Sequence, residues 1–284
     1  MKKTGLIIIS VFLLTLIGCT KTVNVNKPIQ EPDEPIIDNV AQTDEFEFIT
    51  LSKSDKTLQQ SGNEGTEFEI IWQHLELSEK DAEKYPELNR RIEEMNSEED
   101  SYGVGTRDEF LSMLEEFPVE GNAWYYYSNT QYEIQRADEN IVSVICDYEG
   151  YSGGAHGYYS KTGININPET GKDIPFEDVI LDRDAFDKYV YDMLLEANTY
   201  EIREENRQSF YQSYRESGYN WSMDYEKLTV YFNPYEIASY AAGLLKVDVM
   251  FNEHPELFSE KYINVPENVL LPEHNDDDEA SVIK

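Results

Sequence analysis

Three β-forming stretches crowd into residues 123–167. They cover 123–135, 140–148 and 156–167, with only short connections between them. A parallel pair needs a crossover of a dozen or more residues, usually a helix. Connections this short therefore predict consecutive antiparallel strands. The middle stretch carries the apolar run Ile141-Val-Ser-Val-Ile-Cys146. Further on, Leu245-Lys-Val-Asp-Val-Met-Phe251 puts Leu245, Val247, Val249 and Phe251 on one face of a strand. Residues 228–232, Phe46-Glu-Phe-Ile49 and Phe68-Glu-Ile-Ile-Trp72 have the composition of shorter strands.

Helical periodicity fills the gaps. Pro86 suits a first helical position, and Leu88, Ile92 and Met95 then share a face. Thr106-Arg-Asp-Glu109 reads as a capping box that opens a second helix before Phe110 and Leu111. Asp182 or Asp184 caps a helix carrying Phe186, Val190 and Leu194, and a polar helix covers 202–215. Residues 168–171, Pro-Glu-Thr-Gly, form a turn. The expected class is α+β, an antiparallel sheet with helices packed mainly on one face.

The ends read differently. Lys2 and Lys3 precede an apolar run over 6–17, which is followed by Gly18-Cys19. This is the pattern of a secretory signal, residues 1–19, and it looks like a bacterial lipobox with Cys19 as the lipid-modified residue. Residues 20–44, with Lys-Pro and Glu-Pro-Asp-Glu-Pro, are expected to be a disordered tether. Residues 272–284 make an acidic tail. The folded part spans 45–271, with 45–167 and 168–271 as the division if it consists of two packed halves. The expected location is the extracytoplasmic face of a cell membrane, reached through the lipid.

Charge narrows the partners. The chain has a formal net charge of −34, which repels nucleic acid and favours basic proteins or cations. Hydrophobic residues make up 40% and aromatics 13%, enough for a real core. With Cys19 lipidated, Cys146 stands alone, so no disulfide framework is expected. Within a strand, Cys146 reads as a small buried hydrophobe.

Gly153-Gly154-Ala155-His156-Gly157 lies between two of the predicted strands. The glycine pair supplies the positive φ that a tight turn requires, and the small residues admit a second backbone nearby. His156 is the candidate acid or base of an enzymatic alternative, a cell-wall hydrolase or deacetylase, and would need a carboxylate at hydrogen-bond distance. Pro234, Tyr235 and Glu236 follow Asn233. They read either as the start of a short helix capped by Asn233 or as an exposed binding edge. In Trp124-Tyr-Tyr-Tyr127, aromatics fall on both strand faces, one for the core and one for a sugar or protein. His74, His254 and His274 are scattered, and Asp182-Arg-Asp184 and Asp276-Asp-Asp278 lack calcium-loop spacing, so no metal or cofactor is expected.

The Gly153–Gly157 pentapeptide after a strand is similar to the motif of the RsiV-like extracytoplasmic domains, found in RsiV-type anti-sigma factors and PdaC-type peptidoglycan deacetylases. Ile174-Pro-Phe-Glu-Asp-Val resembles the family's entry into its C-terminal half. Phe232-Asn-Pro-Tyr-Glu-Ile-Ala-Ser-Tyr-Ala-Ala-Gly243 resembles its closing segment. The resemblance covers roughly residues 65–255. It implies an α+β fold and a non-enzymatic binding role, with lysozyme, a basic secreted enzyme, as the family's partner. No sigma-binding region and no Thr-Phe-Asp-Asp or His-x-x-x-His metal motif is found, so neither anti-sigma nor deacetylase activity is implied. Gly153, Gly154, His156, Pro234, Tyr235 and Glu236 are the candidate binding residues, for lysozyme, another basic protein or a cell-wall component.

Overall fold

The structure, a computed structural model, describes residues 46–61, 67–116, 125–197, 202–266 and 282–283. The expected signal segment with Cys19, the expected tether, Phe117, Trp124 and residues 267–281 of the C-terminal stretch lie outside them. The described residues belong to one unit, Asp44–Lys284.

A hairpin comes first. β1 (Leu51–Ser61) pairs antiparallel with β2 (Glu67–Leu77), from Leu51↔Leu77 to Ser61↔Glu67. α1 (Glu79–Lys84) is capped by the Ser78 side chain, which accepts from the Asp81 N–H. α2 (Pro86–Glu116) then runs without a break, starting at the predicted proline. The expected second start at Thr106 does not occur. Gly103 lets the helix lie against Trp72, where an added Cβ would stand 3.2 Å from the indole, and Phe110 stacks on Phe68 and Tyr126 on the same side. Packing on β2 holds the helix through a position that local capping preference would end.

β3 (Tyr125–Ala137), β4 (Val142–Tyr151) and β5 (Tyr158–Ile166) form the antiparallel meander expected from their short connections. β3 also pairs parallel with β2, because α1 and α2 carry the chain back to the same end. The five-stranded sheet has the order β1-β2-β3-β4-β5. Phe46–Ile49 is no strand; Phe48 makes a single bridge to Asp138.

The second sheet follows α3 (Phe176–Val179), α4 (Arg183–Glu196) and α5 (Arg207–Ser217). Asp182 caps α4 by accepting from the Ala185 N–H at 3.0 Å. β6 (Asn220–Met223), β7 (Lys227–Phe232) and β8 (Leu245–Met250) pair antiparallel. After α6 (Glu260–Ile263), the two-residue β9 (Val282–Ile283) pairs parallel with β8.

Side-chain alternation sets the layers. Tyr132, Val142, Val144 and Ile166 turn to Leu88, Ile92 and Met95 of α2. Trp221, Leu228, Val230, Val247 and Val249 turn to Phe186, Val190 and Leu194 of α4 and Phe210 of α5. Each sheet thus carries its helices on one face. The remaining faces meet where β3, β4 and β5 lie against β6 and β7, so the molecule holds two sheets where the sequence suggested one.

That sheet-to-sheet seam is largely polar. Gly163 of β5 donates its N–H to Asn220 Oδ1 at 2.8 Å, and Asn220 Nδ2 donates to the Lys161 carbonyl at 2.7 Å. Asn165 Nδ2 donates to the Trp221 carbonyl at 2.7 Å, while its Oδ1 accepts from the buried Ser143 hydroxyl. The Met223 N–H donates in turn to Ser143 Oγ at 3.0 Å. A Cβ on Gly163 would fall 1.8 Å from the Trp221 oxygen, so only glycine fits. Arg136, fully buried, donates Nε–H to Asp138 at 2.6 Å and also reaches the Tyr262 carbonyl.

Candidate functional site

The two candidate segments meet on one surface. After β4 the chain turns through Gly153 and Gly154, with φ of 99° and 105°. Gly157 then passes the β4 backbone so closely that a Cβ would stand 2.9 Å from the Gly150 oxygen. Both glycine requirements read from the sequence are therefore present. His156, exposed on this loop, donates from Nδ1 to the Gly157 carbonyl at 2.8 Å. A carbonyl only accepts, so this contact places the proton of a neutral ring on Nδ1 and leaves the lone pair on Nε2.

Tyr240 joins the loop to the second segment. Its ring stacks on His156 at 3.9 Å between centroids, and its hydroxyl donates to the same Gly157 carbonyl at 2.8 Å. Tyr235 lies on its other flank at 5.7 Å, and Tyr159 meets it edge-on at 5.6 Å. Such ring pairs stabilise by about 0.5–1.5 kcal/mol each beyond their area. Loss of water contact raises the Tyr240 hydroxyl above its ordinary range, as do neighbouring Tyr159, Tyr235 and Tyr127.

Residues 234–236 do not begin a helix. Asn233 is drawn away from capping: its Oδ1 accepts from the Lys161 N–H at 2.8 Å, and its Nδ2 donates to the Lys161 carbonyl at 3.1 Å. The chain makes a tight turn instead, with Tyr235 at φ 72° and 63% exposed. The left-handed region costs a side-chain-bearing residue about 1–2 kcal/mol. Pro234 is buried beneath it. Glu236 is exposed as a residue, yet its carboxyl turns inward. Burial lifts it above the usual carboxylate range, against the Asn233 N–H at 2.6 Å and the Tyr214 hydroxyl, which both favour the charged form.

More tyrosines extend the platform along β3. Tyr126 points inward and stacks on Phe68 at 5.5 Å, whereas Tyr125 and Tyr127 pair outward at 5.6 Å. Tyr125 is 45% exposed and Tyr158 53%. Tyr240 and Tyr159 were not foreseen as site residues. The one available signal was the position of Tyr240 within the Phe232–Gly243 segment.

Beside Glu236 and Ile237 opens a cleft of ≈ 350 Å³. Its walls are Tyr191, Ile202, Phe210 and Tyr214, and Ser209, Ser213 and Ser217 of α5 form one edge.

The enzymatic alternative gains no support from His156. Among the described residues, the histidines in ion-pair contact with carboxylates are His74, with Asp100, and His254, with Glu256. No group of three or more His, Cys, Asp or Glu among the described residues is arranged to hold a metal. Cys146 is half-buried, and burial, then Glu99 and Asp147, push its thiol up to about 12. It stays a thiol at neutral pH and packs as a small apolar side chain.

Residues 179–252 match the model of a family described as a protein of unknown function, DUF3298. The whole fold is similar to a solved member of that family from Bacteroides fragilis, at 14% identity and a TM-score of 0.52, covering 75% of this chain and 94% of that one. A solved family member from Pseudomonas aeruginosa is similar at 13% identity and 0.51, covering 77% of this chain and 98% of that one. At such identities the likeness is one of fold. No curated protein matches. No helix among the described residues is long and apolar enough to cross a membrane.

Proposed function

We propose that the chain is a lipid-anchored, extracytoplasmic binding protein of the RsiV-like kind that holds a basic protein, with lysozyme the first candidate, on its His156–Tyr240–Tyr235 platform. The observation that carries this reading is the convergence of two segments far apart in sequence. Residues 153–157 and 234–236 meet through Tyr240, and Tyr235 is held outward in a strained conformation. Strain at an exposed aromatic costs stability and has no role in the core, which is the mark of a side chain kept for contact. Tyrosine gives large contact area at low entropic cost, and a net charge of −34 steers a basic partner to it. The Cys19 lipid and the export signal supply the location in this reading.

Calorimetry with lysozyme at low and high salt tests it. Binding should weaken as salt rises, because the steering component is screened. Tyr235→Ala should weaken binding by about tenfold or more, the effect of removing a central aromatic anchor. Equal affinity for both proteins, or no binding at either salt, would refute lysozyme as the partner of this platform.

A further inference from the structure

The cleft beside the platform has a polar edge rich in acceptors. On α5, the Ser209 hydroxyl donates to the Asn206 carbonyl at 2.8 Å, and the Ser217 hydroxyl donates to the Ser213 carbonyl at 2.9 Å. A serine that gives its proton to the backbone presents lone pairs on its other side. Glu236 adds a carboxylate, and among the described residues no lysine or arginine forms an ion pair with it. The cations of α5 are occupied elsewhere. Arg207 engages Asp192 and Glu204, and Arg215 engages Asp184 and Asp187. Behind this edge the walls are Ile202, Phe210 and Ile237, largely apolar. A ligand that satisfies both parts has a positive, donor-rich head on an apolar stem.

We propose that this cleft takes a lysine side chain of the bound basic protein, its methylenes along Phe210 and Ile237 and its ammonium beside Glu236 and the α5 serines. The proposal rests on the reading of a basic protein partner and assigns a second anchor next to the tyrosine platform. Lysine suits the edge better than arginine. A guanidinium seeks both oxygens of a free carboxylate, whereas here the Asn233 N–H already takes Oε2 and the Tyr214 hydroxyl also donates to the group. An ammonium needs only single acceptors, and the serines supply them. Desolvation of the Glu236 carboxyl leaves it short of a counter-charge, which an incoming ammonium provides.

The test uses the full chain with labelled isoleucine methyls, titrated with N-acetyl-lysinamide and followed by NMR. The Ile202 and Ile237 signals should shift and saturate. The norleucine counterpart, which lacks the ammonium, should bind about tenfold more weakly, as should Glu236→Gln, which loses one charge-assisted contact. Ser213→Lys, at an exposed position, should abolish the shifts without affecting folding. Tyr235→Ala should leave lysinamide affinity unchanged while weakening lysozyme. Equal binding of the norleucine compound would overturn the proposal, as would unmoved Ile202 and Ile237 signals in a protein that still binds lysozyme. Lysinamide binding without lysozyme binding would sustain the cleft and sink the lysozyme reading alone.

Discussion

The seam between the sheets and the aromatic platform are built from the same strand, β5, and its neighbours, yet they solve opposite problems. At the seam, backbones approach until only Gly163 fits, and the side-chain amides of Asn165 and Asn220 take up the polar groups that contact would strand. At the platform, the rings are stacked but open on one side, and the one strained residue, Tyr235, points to solvent. The seam uses glycine because space is absent. The loop uses Gly154 because of its backbone angle, with nothing within 4 Å of an added Cβ. Steric need marks the part that holds the fold together, and conformational need marks the part that displays a surface.

Alanine substitution separates these two needs. Gly163→Ala forces a Cβ into the Trp221 carbonyl and should cost more than about 3 kcal/mol, the upper end of overpacking. Chemical denaturation would show it, and an unchanged midpoint would mean the sheets are not locked at that point. Gly154→Ala meets no atom but must hold φ near 105°, so it should cost about 1–2 kcal/mol while the cooperative transition survives. A loss equal to that of Gly163→Ala would erase the distinction. Glu236→Gln should give the smallest change. The native carboxyl binds its proton more tightly than an unfolded one, so native stability falls as pH rises from about 4, the ordinary value, through the raised one. Glutamine has no such charge, so the melting temperature of the variant relative to the parent should climb over that window. A constant difference would show the carboxyl is not desolvated.

Much of this architecture was readable in advance where periodicity and burial coincide. Leu245, Val247, Val249 and Phe251 all face the core, as their alternation required. β1 was missed because Leu51-Ser-Lys-Ser-Asp-Lys is an edge strand exposed along most of its length and carries no apolar stripe to announce it. The parallel β2–β3 pair was missed because pairing across α2 depends on where a long helix returns the chain, and no local residue encodes that. At the site, the glycine angles and Tyr235 were legible as local chemistry. Their meeting through Tyr240, and the diversion of Asn233 from a cap to the β5 backbone, are long-range facts. The serine edge of α5 did leave a trace, in the helical spacing of Ser209, Ser213 and Ser217.

The parallel pairing of β2 with β3 also bears on the order in which the molecule assembles. Contacts between β3, β4 and β5 close short loops, whereas the β2–β3 ladder must wait until the whole α1–α2 crossover has been gathered in. Loop-closure entropy is met before such a contact gives any return, so distant strand pairs form late. Pulse-labelled exchange during refolding should protect the β3–β5 amides before those linking β2 to β3. Simultaneous protection would point to a nucleus that includes α2. The hairpin β1–β2 is then a late arrival docking on a finished meander, and the platform, which joins Gly157 to Tyr240 across a still longer stretch of chain, closes no earlier than the sheet.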